Sequence, residues 1–148
     1  MRDETLKALL DQELSLLLKS QKLLEYSLNK CEEIGIKKEY SMADLTEYES
    51  LSSRYSRTSD ILTQKVLKTL FIYLQEDARF FIDRCNLSEK LGLVESSDDL
   101  YNIRKLRNEI SHEYAKEEIS EIYMPLLGYS KTLSKVIDQA EKYIQKLE

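Results

Sequence analysis

The chain reads as an all-α protein, an antiparallel helical bundle of four to five main helices in a single domain over residues 1–148. Three observations lead there. Three glycines, one proline and no tryptophan leave few turns for a sheet. Leu, Lys, Glu and Ile outnumber Val and Thr, which is the balance that helices favour. Apolar residues recur at three- and four-residue steps, and a 42% hydrophobic content suffices to close one core.

From about Asp3 to Ile34, the residues Leu6, Leu9, Leu10, Leu16, Leu17, Leu24, Leu28 and Cys31 fall on one side of a helix. Gly35 then serves as its C-cap, and a short loop runs to Tyr40. Ser41 is a candidate N-cap for a long central helix, on which Tyr48, Leu51, Tyr55, Leu62, Val66 and Tyr73 trace one face, with Arg57, Asp60 and Gln64 opposite. The apolar pattern broadens from Val66 to Leu74 and again at Phe80-Phe81-Ile82, so this half should be buried against more than one neighbour, with room for a break. A short helix is expected within Asn86–Leu93, ending at Gly92. Ser96-Ser97-Asp98-Asp99 then supplies caps and first-turn acids for the next helix. A last amphipathic helix is expected from about Ser120 to Lys146, kinked or delayed by Pro125 and Gly128.

A formal net charge of -5 argues against a protein that coats nucleic acid nonspecifically, although a local basic cluster is compatible with it. Cys31 and Cys85 lie far apart in apolar stretches and read as reduced core residues of a cytosolic protein. No apolar run approaches the roughly 20 residues that a membrane span needs, and the acidic N-terminus does not read as a signal peptide. The expectation is a cytoplasmic protein with no membrane association. No Gly-rich phosphate loop, metal-spaced Cys/His set or Ser-His-Asp arrangement is visible, so neither a cofactor nor a metal is expected.

The helix after Asp99 carries the stretch Arg107-Asn108-Glu109-Ile110-Ser111-His112-Glu113-Tyr114, with the only histidine in the chain. With Arg107 as origin, Ile103, Leu106 and Ile110 lie at about 320°, 260° and 300° and form the buried seam. Tyr114, Ser111, Arg104, Asn108 and His112 follow at about 340°, 40°, 60°, 100° and 140°, a broad polar face beside the seam. Arg104, Asn108 and His112 repeat at i, i+4, which lets the Asn108 amide reach and orient the imidazole. Arg107 and His112 stand about 140° apart, too far round for contact on a straight helix, although a phosphate lying across the face can meet both. Such residues on a polar face are also what an ordinary solvated helix carries.

Arg107, four residues, His112, one residue and Tyr114 together form an R-x4-H-x-Y pattern that resembles the signature of the HEPN superfamily, and of HepT-like toxins above all. Asn108 after the arginine, the surrounding Leu106–Tyr114 context and the place of the motif late in a helical chain of this length resemble that group too. The resemblance implies a HEPN-like bundle and a metal-independent endoribonuclease that works as a homodimer, encoded beside a minimal nucleotidyltransferase antitoxin. It also implies that the tyrosine matching Tyr114 is the residue on which that partner places AMP. Arg107 and His112 are then the catalytic pair, and Asn108, Arg104 and Ser111 support them or bind RNA. The segment Ser53–Asp60 is similar to a stretch shared by some nucleotidyltransferase-associated members, which adds Arg54, Arg57 and Asp60 as further phosphate contacts or as supports for the motif helix. An Arg57–Asp60 pair at i, i+3 reads equally as a surface ion pair. The sequence departs from the usual HepT pattern after Tyr114, at Pro125 and between Ser41 and Asp60.

RNA cleavage of this kind needs a base for the 2′-hydroxyl, a cation for the phosphorane and an acid for the 5′-oxygen. One chain offers one histidine, so two motif helices are expected to meet across a two-fold axis and share one cleft. Two other readings stand beside the enzyme: a non-catalytic nucleotide- or substrate-binding subunit of a nucleotidyltransferase, and a helical adaptor without nucleotide chemistry.

Overall fold

The computed structural model describes residues 3–113 and 119–147. Among them there is no strand, and the helices are α1 (Glu4–Ile34), α2 (Met42–Ile61), α3 (Leu67–Tyr73), α4 (Phe81–Lys90), α5 (Ser97–Glu113) and α6 (Tyr123–Gln145). A π-helical turn, Leu62–Val66, joins α2 to α3 without a break, so five rods make up the bundle. A 3-10 turn, Ile119–Ile122, leads into α6.

The helix ends follow from local chemistry. Asp3 caps α1 by accepting from the Thr5 N–H at 2.8 Å, and Gly35 closes it at φ 74°, where only a residue without Cβ sits at ease. Ser41 and Asp44 form a reciprocal capping box on α2, with Ser41 N–H to Asp44 at 3.2 Å and Asp44 N–H to Ser41 Oγ at 3.1 Å. The same carboxylate takes Lys37 at 3.1 Å, and these contacts hold it below its ordinary value. Ser96 Oγ accepts from the Asp98 N–H at 3.2 Å at the start of α5. Pro125 falls in the first turn of α6, where its missing N–H costs nothing, so the α-helix starts at Tyr123 behind the 3-10 turn.

α1 runs antiparallel to α2 and to α6, as its cross-helix bonds record. Along α2 the partners descend as α1 rises: Ser20 meets Thr58 at 2.6 Å, Ser27 meets Arg54 at 2.8 Å, and the Gly35 carbonyl accepts from Tyr48 at 2.8 Å. Gln21 donates to Asp138 of α6 at 2.9 Å. Leu10, Leu17, Leu24, Leu51, Phe71 and Ile137 bury fully into one core, each such side chain contributing about 2 kcal/mol by transfer from water. Tyr48 and Tyr123 stack in parallel at 4.0 Å, with Tyr40 edge-on to both, which locks the starts of α2 and α6 together. Cys31 and Cys85 are free and buried, and burial pushes their thiols up to about 12 and about 11.

Two departures from the expected elements matter. The central rod ends at Tyr73; Gln75 adopts φ 59° and a loop turns the chain, so Phe81 and Ile82 open α4 instead of extending the long helix. The short helix expected from Asn86 therefore begins five residues earlier, at Phe81, and Gly92 at φ 79° follows its end. Inside the rod, the Leu67 N–H bonds the Leu62 carbonyl five residues back, the π pattern, while Thr63 Oγ1 donates to the Ser59 carbonyl at 2.8 Å.

Candidate site on the α5 face

Leu100, Ile103, Leu106 and Ile110 are all buried, so the seam deduced from the wheel is the face by which α5 enters the core. Tyr55 of α2 is also fully buried and donates its hydroxyl to the Ile103 carbonyl at 2.8 Å. That bond fixes how α5 lies beside α2. One and a half turns on, α2 presents Asp60 to the polar edge of α5.

Asp60 holds two arginines at once. Its Oδ1 accepts from Arg104 Nη1 at 2.7 Å and from Arg107 Nε at 2.9 Å, and its Oδ2 accepts from Arg107 Nη2 at 3.0 Å. The contact to Arg107 is bidentate, the geometry in which a guanidinium binds a carboxylate best. The hydrogen bond to Asp60 raises the Arg107 pKa, with partial burial opposing it. Arg107 Nη1 also donates to Ser111 Oγ one turn on, and Ser111 returns a long bond to the Arg107 carbonyl at 3.4 Å. The side chains of Arg104 and Arg107 keep 28% and 26% of their surface exposed, so solvent and ligands reach both. Among the described residues, three of the five N–H groups that a guanidinium carries are engaged on Arg107, and these leave two for an anion while Asp60 stays in place.

The other residues singled out from the sequence separate into groups. Ser111 joins Arg104, Arg107 and Asp60. His112 and Asn108 are exposed on the same helix, and no hydrogen bond links them, so the expected orientation of the imidazole by the Asn108 amide is not seen. Arg57 is exposed and does not pair with Asp60, because the better geometry comes from α5. Arg54 belongs elsewhere: it donates to Ser27 Oγ at 2.8 Å and to the Leu23 carbonyl at 3.2 Å and lies over the Tyr26 ring, all on α1. Tyr114, the proposed modification site, lies outside the described residues.

The sequence offered Asp60 with Arg57 as its partner instead of the α5 arginines, and it placed Tyr55 on the apolar face without showing its bond to α5. An acid on one helix and two arginines on another are joined only by tertiary packing, so periodicity carries no sign of the pairing. The one available hint was Arg104 and Arg107 at i, i+3, two cations on one edge that share a neighbour well. Among the described residues no helix is long and apolar enough to cross a membrane. No protein-family model matches the chain, and no curated protein matches it.

Proposed function

We propose that the chain is the toxin component of a HEPN/minimal-nucleotidyltransferase toxin–antitoxin pair, a cytoplasmic, metal-independent endoribonuclease that acts as a homodimer. The observation that supports this most is the fork at Asp60. It holds Arg104 and Arg107 side by side on the exposed edge of the helix that carries His112, and it leaves N–H groups on Arg107 uncommitted. A guanidinium fixed by one carboxylate meets a phosphate without first losing rotamer freedom, and pre-ordered cations are what a phosphorane needs.

In the proposed reaction a neutral His112 takes the 2′-hydroxyl proton as that oxygen attacks phosphorus. The bond from phosphorus to the 5′-oxygen breaks, and His112 of the partner subunit, in its protonated form, supplies the leaving oxygen with a proton. Products are a 2′,3′-cyclic phosphate and a 5′-hydroxyl. Arg107 takes up the charge that builds on the non-bridging oxygens, with Arg104 behind it. The cognate nucleotidyltransferase silences the enzyme by placing AMP on Tyr114, two residues after His112 in the sequence, so that the added negative charge competes for the arginines.

A second reading, a non-catalytic nucleotide- or substrate-binding subunit of a nucleotidyltransferase, draws on one specific feature: among the described residues His112 has no hydrogen bond to Asn108 to set its ring, and a base that its expected partner does not orient suits binding better than proton transfer. Induction in cells separates the two. Growth arrest and RNA fragmentation are expected with the wild type, neither with His112→Ala, and rescue when the nucleotidyltransferase gene is present. Equal growth and intact RNA for both forms would leave the binding reading in possession.

A further inference from the structure

Arg84, in the first turn of α4, is only 3% exposed. Its Nη1 donates to the carbonyls of Ala78 and Arg79 at 3.1 and 2.9 Å, its guanidinium lies over the Phe81 ring, and its Nε has no partner. No carboxylate forms an ion pair with it among the described residues. Burial pushes its pKa down, and the charge of Arg104 pushes the same way, against partial relief from Cys85 and Asp83. A buried cation with carbonyl partners, an unpartnered Nε and no ion pair among the described residues is an unfinished site.

The same guanidinium lines a cavity of about 290 Å³ between α3, the loop that follows it and α4. Buried Phe71 and Ala78 border the cavity, and exposed Lys68 and Arg79 bring two more cations to it. Of its two carboxylates, Asp77 is already engaged by Arg79 at 3.2 Å, and Glu76 remains. Ile72 forms an apolar wall at 59% exposure. Cations around a buried guanidinium, beside the bare apolar wall of Ile72, form the pattern that takes a phosphate together with a flat base.

We propose that this cavity is a nucleotide-phosphate site, with Arg84, Lys68 and Arg79 around the phosphate and the base against Ile72. The phosphate belongs to a free nucleotide or to one residue of a single-stranded RNA. The site lies on α3 and α4, apart from His112, and stands whether or not the chain cleaves RNA.

The test is a titration of the full-length His112→Ala protein, followed by the backbone amide resonances, with AMP, inorganic phosphate and a short oligouridylate. Shifts concentrated at residues 68–84 are expected with AMP, with phosphate binding about tenfold more weakly for want of a base to stack. The double variant Lys68→Gln/Arg79→Gln should bind AMP about fivefold or more weakly, with an unchanged melting temperature, since both side chains are exposed. Arg84→Lys should lose more, and if it fails to fold, the double variant carries the result. Saturation of the shifts at residues 68–84 by the oligouridylate at much lower concentration than by AMP assigns the phosphate to an RNA strand, and saturation of those same shifts at equal concentration assigns it to a free nucleotide. Shifts absent from 68–84 for all three ligands, or an affinity for AMP that the double variant leaves unchanged, overturn the proposal. Using the His112→Ala form keeps the outcome independent of the nuclease reading.

Discussion

Asp60 decides where two arginines point. Both it and they keep about a third of their surface in water, so screening limits what the cluster contributes to stability. Asp60→Asn should therefore lower stability by only about 1 kcal/mol, read from urea midpoints, and 1 M salt should narrow the difference. Its effect on RNA cleavage should be much larger, because Arg104 and Arg107 lose their fixed rotamers; under the ribonuclease proposal the rate falls by roughly tenfold or more. A fall in stability with no change in rate would make the fork a structural clasp alone. The sequence showed Asp60 on the polar side of its helix and Arg104, Arg107 and Ser111 on theirs, yet it could not show that the two sides face each other. The wheel also put Asn108 within reach of His112, but reach is not contact: two exposed side chains gain little by ordering each other in water.

At the scale of elements, most of what periodicity addresses was legible. The first helix, its Asp3 start and Gly35 end, the Ser41 cap and the seam Ile103-Leu106-Ile110 stand where the spacing placed them, because capping chemistry and the period of burial are local. The π-turn was not legible, since one wide turn shifts an apolar face without interrupting it. Its consequence is testable. Inserting one alanine after Gln64, into a turn that already holds one extra residue, should rotate everything beyond it by about 100°, carrying Leu67, Leu70 and Phe71 out of register with α1 and α4. A clear loss of melting temperature is expected, whereas deleting Gln64 returns Leu62–Val66 to an α-turn with the later residues still facing the core and should change it less. An insertion variant as stable as the parent would show that the wide turn has no part in aligning α3. A break in the central helix was allowed for but not placed, because the chain turns after Tyr73 through Gln75 in the left-handed region, where glycine or asparagine would have signalled it.

The described residues form a five-rod bundle in which the long α1 spans α2 and α6, and α5 lies against α2 through Tyr55 and Asp60. Composition and period gave that architecture readily, since a chain with so few turn residues and such regular apolar steps has few other ways to bury its core. The proposed chemistry rests on the α5 edge and on the pairing of two such edges. One measurement bears on it most directly: the cleavage of RNA by the purified protein in the presence of a chelator, for the wild type, Arg107→Ala and His112→Ala. The ribonuclease proposal predicts fragments ending in 2′,3′-cyclic phosphate from the wild type and a rate lower by about a hundredfold or more in each variant. Cleavage at the same rate in all three, or none by the wild type, would contradict it.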